Sequence, residues 1–85
     1  MQLVKYSAEW CIPCSQLSKI LDSVNLNGFE FSEVDIDENP EAASEAKVRG
    51  IPTMILQDED GNELSRKVGV LNAVQIQQWL DDAQQ

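Results

Sequence analysis

Two cysteines with two residues between them, Cys11 and Cys14, are the only thiols of the chain. At this spacing the thiols face the same side of a helix and are close enough to form a disulfide, so the pair can accept or release two electrons. A structural disulfide stabilises a fold less when the loop that it closes is short, and this loop is tiny. The pair therefore predicts redox chemistry rather than a structural cross-link.

Other uses of two cysteines need partners that this sequence lacks. A zinc site takes about four ligands, and the chain offers two thiols and no histidine. No metal site is expected within one chain, although a site shared between two copies remains an alternative. A c-type haem attachment needs a histidine directly after the second cysteine, and Ser15 occupies that position.

The residues around the cysteines predict a strand and then a helix. Residues 2–7, QLVKYS, are rich in strand formers. A helix is predicted to begin near Cys11 and to run toward Leu26, where the Asn-Gly pair at 27–28 ends it. Its apolar residues have helical spacing and are Leu17, Ile20, Leu21 and Val24.

A helix N-terminus gives the two cysteines different roles. Its unpaired N–H groups and its partial positive charge favour a thiolate over a thiol. Cys11 lies at that terminus and is predicted to be the exposed, attacking thiolate, whereas Cys14 is the more buried resolving thiol. Pro13 lies between them in the first helical turn, where its missing N–H costs little.

Three further segments have the apolar patterns of strands, and they cover residues 29–36, 53–57 and 63–68. The last two are joined by a tight turn in which Gly61 can supply a positive φ. The first of them is linked to the strand at 2–7 by the helix after Cys11. Such a βαβ unit is parallel and right-handed.

Two further helices have start and stop signals. The Asn-Pro pair at 39–40 is typical of an N-cap and a first helical residue, so a short helix is predicted over 41–48, ending at Gly50. Asn72 begins the last helix, and Gln75 is placed as in a capping box. The apolar stripe of this helix, which is assigned to the core, consists of Ala73, Ile76, Trp79, Leu80 and Ala83.

The chain has 85 residues, which is room for one domain, and residues 1–85 are predicted to form it. The element order β-α-β-α-β-β-α predicts an α/β fold with a four-stranded mixed sheet and three helices on both faces. Hydrophobic residues make up 42% of the chain and charged residues 25%, which is ordinary for a globular protein and argues against disorder.

The charge balance is strongly acidic, because six Lys and Arg against fifteen Asp and Glu give a formal charge of −9. This excess argues against a nucleic acid or an anionic membrane as a partner. No apolar run approaches the roughly 20 residues of a transmembrane helix, and the first ten residues lack the apolar core of a signal peptide. A cytoplasmic location is predicted, although an exported protein after cleavage of its signal has the same pattern.

Four short motifs follow one another along the chain: A-E-W-C-I-P-C at 8–14, V-D-I-D-E-N-P at 34–40, R-G-I-P-T at 49–53 and V-G at 68–69. In this order and separation they resemble the thioredoxin family, whose active-site motif is usually WCGPC. The resemblance extends over nearly the whole chain. The N-terminal strand and helix of a full-length thioredoxin have no counterpart, so the chain resembles a minimal thioredoxin of glutaredoxin size and implies a thioredoxin-like fold.

The resemblance implies a role for each matching position. Cys11 is the nucleophile and Cys14 the resolving residue, and the disulfide between them is the redox group, with no cofactor besides it. Pro52 is expected to be cis, with the backbone of Ile51 offered to an extended substrate segment. The apolar surface around the cysteines is expected to consist of Trp10, Ile12, Ile51, Gly69 and Val70. Partial packing of the first two into the core is compatible with this role.

The sequence departs from the family pattern at three positions. Ile12 replaces the usual glycine of the motif. Lys5 stands where thioredoxins usually have an aspartate beneath the second cysteine, and Glu33 stands where they usually have the accompanying lysine. We predict that these two form a partly buried ion pair below the disulfide, because a buried lone charge is costly. Lys5 can then stabilise a thiolate at Cys14 or pass protons to it through water.

Three functions are compatible with these residues. The leading hypothesis is a thiol-disulfide oxidoreductase that acts as a monomer on disulfide-containing proteins and is re-reduced by an electron-donor reductase. The second is a glutathione-dependent glutaredoxin, against which the acidic charge argues, because a glutathione groove is positively charged. The third is a non-catalytic accessory subunit of a larger enzyme, whose function survives the loss of both cysteines.

Overall fold

A computed structural model describes residues 1–84, and its seven elements follow the predicted order. Gln85, the last residue of the predicted domain, lies outside the described residues. The strands are β1 (Gln2–Ser7), β2 (Glu30–Asp35), β3 (Thr53–Gln57) and β4 (Glu63–Val68). The helices are α1 (Ile12–Leu21), α2 (Pro40–Glu45) and α3 (Ala73–Ala83). Within residues 1–84 no helix is long and apolar enough to cross a membrane.

The four strands of the described chain form one mixed sheet in the order β2-β1-β3-β4. β1 pairs with β2 in parallel, as the βαβ pattern predicts, and with β3 antiparallel. β3 and β4 form the predicted hairpin. β1 is therefore an inner strand, and the loop that follows it carries the cysteines to one end of the sheet.

Alternation along the two inner strands separates the core into two layers. Leu3 of β1 faces α1 and α3, whereas Val4 faces α2 on the opposite side of the sheet. The layer below α1 and α3 consists of Leu3, Leu17, Val24, Phe29, Met54, Leu56, Ile76, Trp79 and Leu80. The layer below α2 consists of Val4, Tyr6, Ala43 and Ile55. The predicted helices on both faces and the assignment of Trp79 to the core are confirmed.

The first helix is shorter than its apolar spacing predicts. α1 ends at Leu21 instead of running toward Leu26. The Ser23 hydroxyl donates to the backbone carbonyl of Ile20 at 2.8 Å, and such local side-chain bonds compete with helix continuation. Val24 still packs into the core from the turn that follows, so its spacing indicated burial rather than helix.

The second helix also ends early, at Glu45 rather than at Val48. Lys47 adopts a left-handed φ of 58°, and its N–H donates to the carbonyl of Ser44 while the Val48 N–H donates to that of Ala43. This is the hydrogen-bond pattern of a Schellman cap. The sequence signal was misleading because lysine, and not glycine, occupies the left-handed position.

The predicted caps of the last two helices have different outcomes. Asn39 is the N-cap of α2, but its side chain makes no capping hydrogen bond. Asn72 and Gln75 form the predicted capping box of α3, with side-chain bonds of 2.8 and 3.0 Å in the two directions. The last helix therefore begins where the sequence places it.

Tyr6, the single tyrosine of the chain, gives the fold an expected sensitivity to alkaline pH. Burial raises the pKa of its phenol, and the nearby Arg66 guanidinium opposes this shift only in part. A group whose pKa is raised by folding contributes stability that is complete below its unfolded value, about 10, and is lost as pH rises through the folded value. We expect the free energy of unfolding in urea to fall above that pH.

Tyr6→Phe removes the titrating group and tests this expectation. The variant is expected to lie within about 1 kcal/mol of the wild type at neutral pH and to lose less stability at alkaline pH. The difference between the two proteins isolates the contribution of the phenol. Parallel alkaline losses in both proteins contradict the prediction.

Candidate active site

The first helix begins at the cysteine pair. Cys11 is the N-cap of α1, with an extended backbone, and its Sγ accepts a hydrogen bond from the Cys14 N–H at 3.2 Å. Pro13 lies in the first turn, where no helical N–H is needed. Cys11 and Cys14 are joined by a disulfide across a Cα–Cα distance of 5.2 Å. The structure thus holds the pair as the oxidised form of a dithiol.

Both cysteines are buried in this oxidised form, whereas the sequence predicts an exposed Cys11 thiolate for the reduced protein. Cys11 is 4% exposed and Cys14 is 2% exposed. Both pack in one apolar cluster with Ala8, and Ile36 and Ile51 cover that cluster. Apolar side chains from two separate loops surround the bridge, so its position at a helix end does not by itself expose Cys11.

Exposed apolar side chains flank the disulfide. Trp10 is 66% exposed and Ile12 is 72% exposed, so neither packs into the core. Val70 is 39% exposed. Together these three side chains, called here the apolar rim, leave large hydrophobic groups open to solvent beside a reactive bond. An exposed patch of this kind is typical of a contact surface.

The loop before β3 meets the same site. Ile51 packs against the cysteine cluster and is partly buried, whereas Pro52 is buried and its peptide bond with Ile51 is cis. The Pro52 carbonyl accepts a hydrogen bond from the Gly69 N–H at 2.8 Å. Gly69 has φ 90°, a conformation that favours glycine. Three loops, around Cys11, Pro52 and Gly69, are thereby held together.

Asp37 is a site residue that the sequence did not reveal. The Trp10 indole N–H donates to its carboxylate at 2.7 Å, across 27 positions of the chain. Asp35 in turn accepts from the backbone N–H groups of Asp37 and Glu38, at 2.8 and 3.3 Å. The 34–40 motif therefore indicated the family, but only the fold shows that Asp37 of this motif holds the Trp10 ring.

The predicted ion pair between Lys5 and Glu33 is confirmed. The two residues are paired in the parallel register of β1 and β2, and Lys5 Nζ lies 2.7 Å from Glu33 Oε2. The pair is asymmetric, because the lysine residue is 1% exposed whereas the glutamate side chain is 48% exposed. Lys5 is thus more deeply buried than the sequence predicts.

Ser18 connects this pair to the resolving cysteine. Lys5 Nζ donates to Ser18 Oγ at 2.5 Å, and the Ser18 hydroxyl donates to the Cys14 carbonyl at 3.2 Å. Ser18 lies four positions after Cys14 on α1, a spacing that places both on one helix face. That spacing was available in the sequence, but the partner on β1 was not.

A cleft of about 340 Å³ opens beside these residues. Its lining includes Lys5, Cys14, Ser18 and Glu33. Its other lining residues are Ser7, Ala8, Glu9, Ser15, Asp35 and Glu38. The volume and the polar lining suit several water molecules, so the cleft gives the Cys14 side of the disulfide a route to solvent.

Comparison with known proteins identifies this arrangement. Residues 1–82 match the thioredoxin family model. The chain is 42% identical over 82 residues to thioredoxin of Pseudomonas aeruginosa, an alignment that covers 93% of this chain and 75% of that protein. It is 38% identical over 69 residues to the SPbeta prophage-derived thioredoxin-like protein YosR of Bacillus subtilis, covering 81% and 82% of the two chains.

Solved structures agree with the fold. The structure of Fasciola hepatica thioredoxin superposes with a TM-score of 0.81 at 29% identity, covering 94% of this chain and 77% of that one. The chain belongs to the thioredoxin family. With a CxxC disulfide in the family's fold, it is a thiol-disulfide oxidoreductase of the protein-disulfide reductase type.

Proposed function

We propose that this protein reduces disulfides in other proteins by a two-step exchange in which Cys11 attacks and Cys14 resolves. The observation that carries this assignment is the position of Cys11 Sγ, which caps α1 and accepts the Cys14 N–H. A helix N-terminus stabilises negative charge at that point. Cys11 is therefore the sulfur more easily held as a thiolate once the bridge is reduced.

The exchange begins from the reduced dithiol. The Cys11 thiolate attacks one sulfur of the substrate disulfide, forming a mixed disulfide, while the other substrate sulfur leaves as a thiolate and takes a proton from water. The Cys14 thiolate then attacks Cys11 Sγ, which forms the internal disulfide and releases the second substrate thiolate. The substrate gains the two electrons that the dithiol loses.

The loops around the disulfide position the substrate in this proposal. The apolar rim of Trp10, Ile12 and Val70 contacts apolar groups next to the substrate disulfide, which is consistent with its exposure. The backbone of Ile51, before Pro52, pairs with an extended substrate segment. Gly69 supports this loop through its hydrogen bond to the Pro52 carbonyl.

To complete the cycle, the protein needs one further component, which is an electron donor. We assign this role to a reductase that transfers two electrons to the Cys11–Cys14 disulfide, with no cofactor bound to the chain itself. The surface around the disulfide must be free for both partners, so the protein acts as a monomer. Net reduction fits a compartment that keeps thiols reduced, such as the cytoplasm.

Reduction of insulin provides the test, with dithiothreitol as the electron donor and the turbidity of the released chains as the readout. The wild-type protein is expected to accelerate the reaction several-fold, and a Cys11→Ser/Cys14→Ser variant is expected to match dithiothreitol alone. Glutathione in place of dithiothreitol is expected to support little turnover. Equal turnover with glutathione favours the glutaredoxin alternative, and no acceleration with either donor contradicts the proposal.

A further inference from the structure

Lys5 is a buried ionisable group to which the two-step exchange above assigns no role. It is 1% exposed and is among the largest fully buried side chains of the described residues. Lysine is seldom fully buried, and an apolar side chain of similar volume often fills such a site with equal or greater stability. Stability alone therefore does not account for a lysine at this position.

The two ends of the Lys5–Glu33 pair lie in different environments. The ammonium is enclosed by protein, whereas the Glu33 side chain is 48% exposed, so water screens the carboxylate far more than the ammonium. The negative charge of Glu33 therefore does not fully neutralise the positive charge of Lys5 on the inner side of the pair. It presents positive charge to the protein interior and negative charge to solvent.

The inner, positive end lies against the helix that carries the resolving cysteine. Lys5 Nζ donates to Ser18 Oγ at 2.5 Å, and Ser18 donates to the Cys14 carbonyl at 3.2 Å, so Ser18 fixes the ammonium against the first turns of α1. Lys5 and Cys14 line the same cleft. A positive charge held at this place attracts a negative charge on Cys14 across the cleft.

The other charged groups of the cleft oppose a thiolate at Cys14. Glu9, Asp35 and Glu38 line it together with Glu33, and Lys5 is the single cationic residue among its lining residues in the described chain. Four carboxylates near a sulfur disfavour a second negative charge there. Without Lys5, the resolving cysteine would have to ionise in a cleft whose charged groups are all carboxylates.

We propose that Lys5 is a positioning residue for the second step of the exchange, in which its ammonium holds Cys14 in the thiolate form. The inference rests on the proposed role of Cys14 as the resolving residue. In that step Cys14, having released its proton to water in the cleft, attacks Cys11 Sγ. The Cys11–Cys14 bond forms, the bond from Cys11 to the substrate breaks, and the substrate sulfur leaves with the electron pair. Lys5 takes no part in the transfer of protons or electrons in this step.

The two steps can be measured separately with a chromogenic aromatic disulfide. The reduced protein releases one coloured thiolate when Cys11 forms the mixed disulfide and a second when Cys14 attacks it. The first phase depends on reagent concentration, and the second, being intramolecular, does not. Stopped-flow absorbance therefore gives both rates without a protein substrate. The role of Lys5 can thus be tested even if the protein does not reduce insulin.

Lys5→Met removes the charge and keeps an unbranched apolar side chain in its place. We expect the second phase to slow about tenfold, since a nearby opposite charge favours an ionised group by at least that factor, and the first phase to stay within about twofold. As pH is raised, the variant's second phase is expected to approach that of the wild type, because hydroxide then removes the Cys14 proton without the help of Lys5.

Lys19→Met is the matched control, because Lys19 is an exposed lysine on α1, the helix that carries Cys14, and its loss changes the net charge by the same amount. Both of its phases are expected to stay within about twofold of the wild type, as exposed charges are screened. The inference is overturned by an unchanged second phase in Lys5→Met, by equal slowing of both phases at every pH, or by equal slowing in Lys19→Met. A wild type without a second phase also overturns it.

Discussion

Cys14→Ser is expected to arrest the protein as a mixed disulfide with its substrate, whereas Cys11→Ser is expected to form none. In the first variant the Cys11 thiolate at the cap of α1 still attacks, but no second sulfur lies within reach to resolve the product. In the second variant the remaining thiol, that of Cys14, lacks the capping position at the start of α1. Turnover should fall on the order of a thousandfold or more in both, because the two residues act as one unit.

Insulin incubated with each reduced variant provides the measurement, by non-reducing electrophoresis and mass spectrometry of the adduct. The adduct of Cys14→Ser should disappear on addition of dithiothreitol, and the site of attachment should be Cys11. Ser15→Ala is a suitable control, because Ser15 follows the pair in the helix and is exposed, and it should turn over like the wild type. An adduct that forms through Cys14 in the Cys11→Ser variant reverses the assigned roles.

The order of the elements could be predicted from the sequence because each element has a local signal of its own. The strand-forming residues of β1 and the apolar spacing in α1 and α3 are local properties of the chain, and so is the capping box at Asn72 and Gln75. Helix ends were less predictable, since they depend on competing hydrogen bonds. Just after α1, Ser23 makes a bond to a backbone carbonyl that competes with helix continuation, and Lys47 takes the left-handed conformation that glycine usually takes.

The candidate site divides in the same way. The cysteine pair and its helix terminus are local and were predictable. Contacts between distant segments were not, because they depend on strand register and on the direction of each side chain. The Trp10–Asp37 bond and the link from Ser18 to Lys5 are of this second kind. The Lys5–Glu33 pair was predictable only because the family resemblance supplied the register that a single sequence lacks.

Glu33→Gln is expected to destabilise the fold strongly in the wild type and very little in a Lys5→Met background. In the wild type the substitution removes the carboxylate next to the Lys5 ammonium. Lys5 is 1% exposed, and Ser18 Oγ then remains as its hydrogen-bond acceptor. Removing one partner of a buried pair typically costs about 3–5 kcal/mol. We expect about 1–3 kcal/mol, a lower range than that of a fully buried pair, because Glu33 is half exposed and Ser18 keeps one bond to the lysine.

Urea unfolding of the wild type, both single variants and the double variant measures the coupling energy. The exposed pair of Glu63 and Arg66, whose side chains are 40% and 29% exposed, serves as the control, and its loss through Glu63→Gln should cost at most about 1 kcal/mol. Coupling near zero between Lys5 and Glu33 contradicts the prediction.

The sign of the Lys5→Met effect on stability then separates two explanations of the lysine. Replacement of a buried ionic group by an apolar one of similar volume is often neutral or stabilising, so we expect Lys5→Met to be at least as stable as the wild type. If Lys5→Met is more stable than the wild type and its second exchange step is slower, the role of Lys5 lies in the chemistry at Cys14. A loss of stability as large as that of Glu33→Gln instead assigns the lysine to the fold.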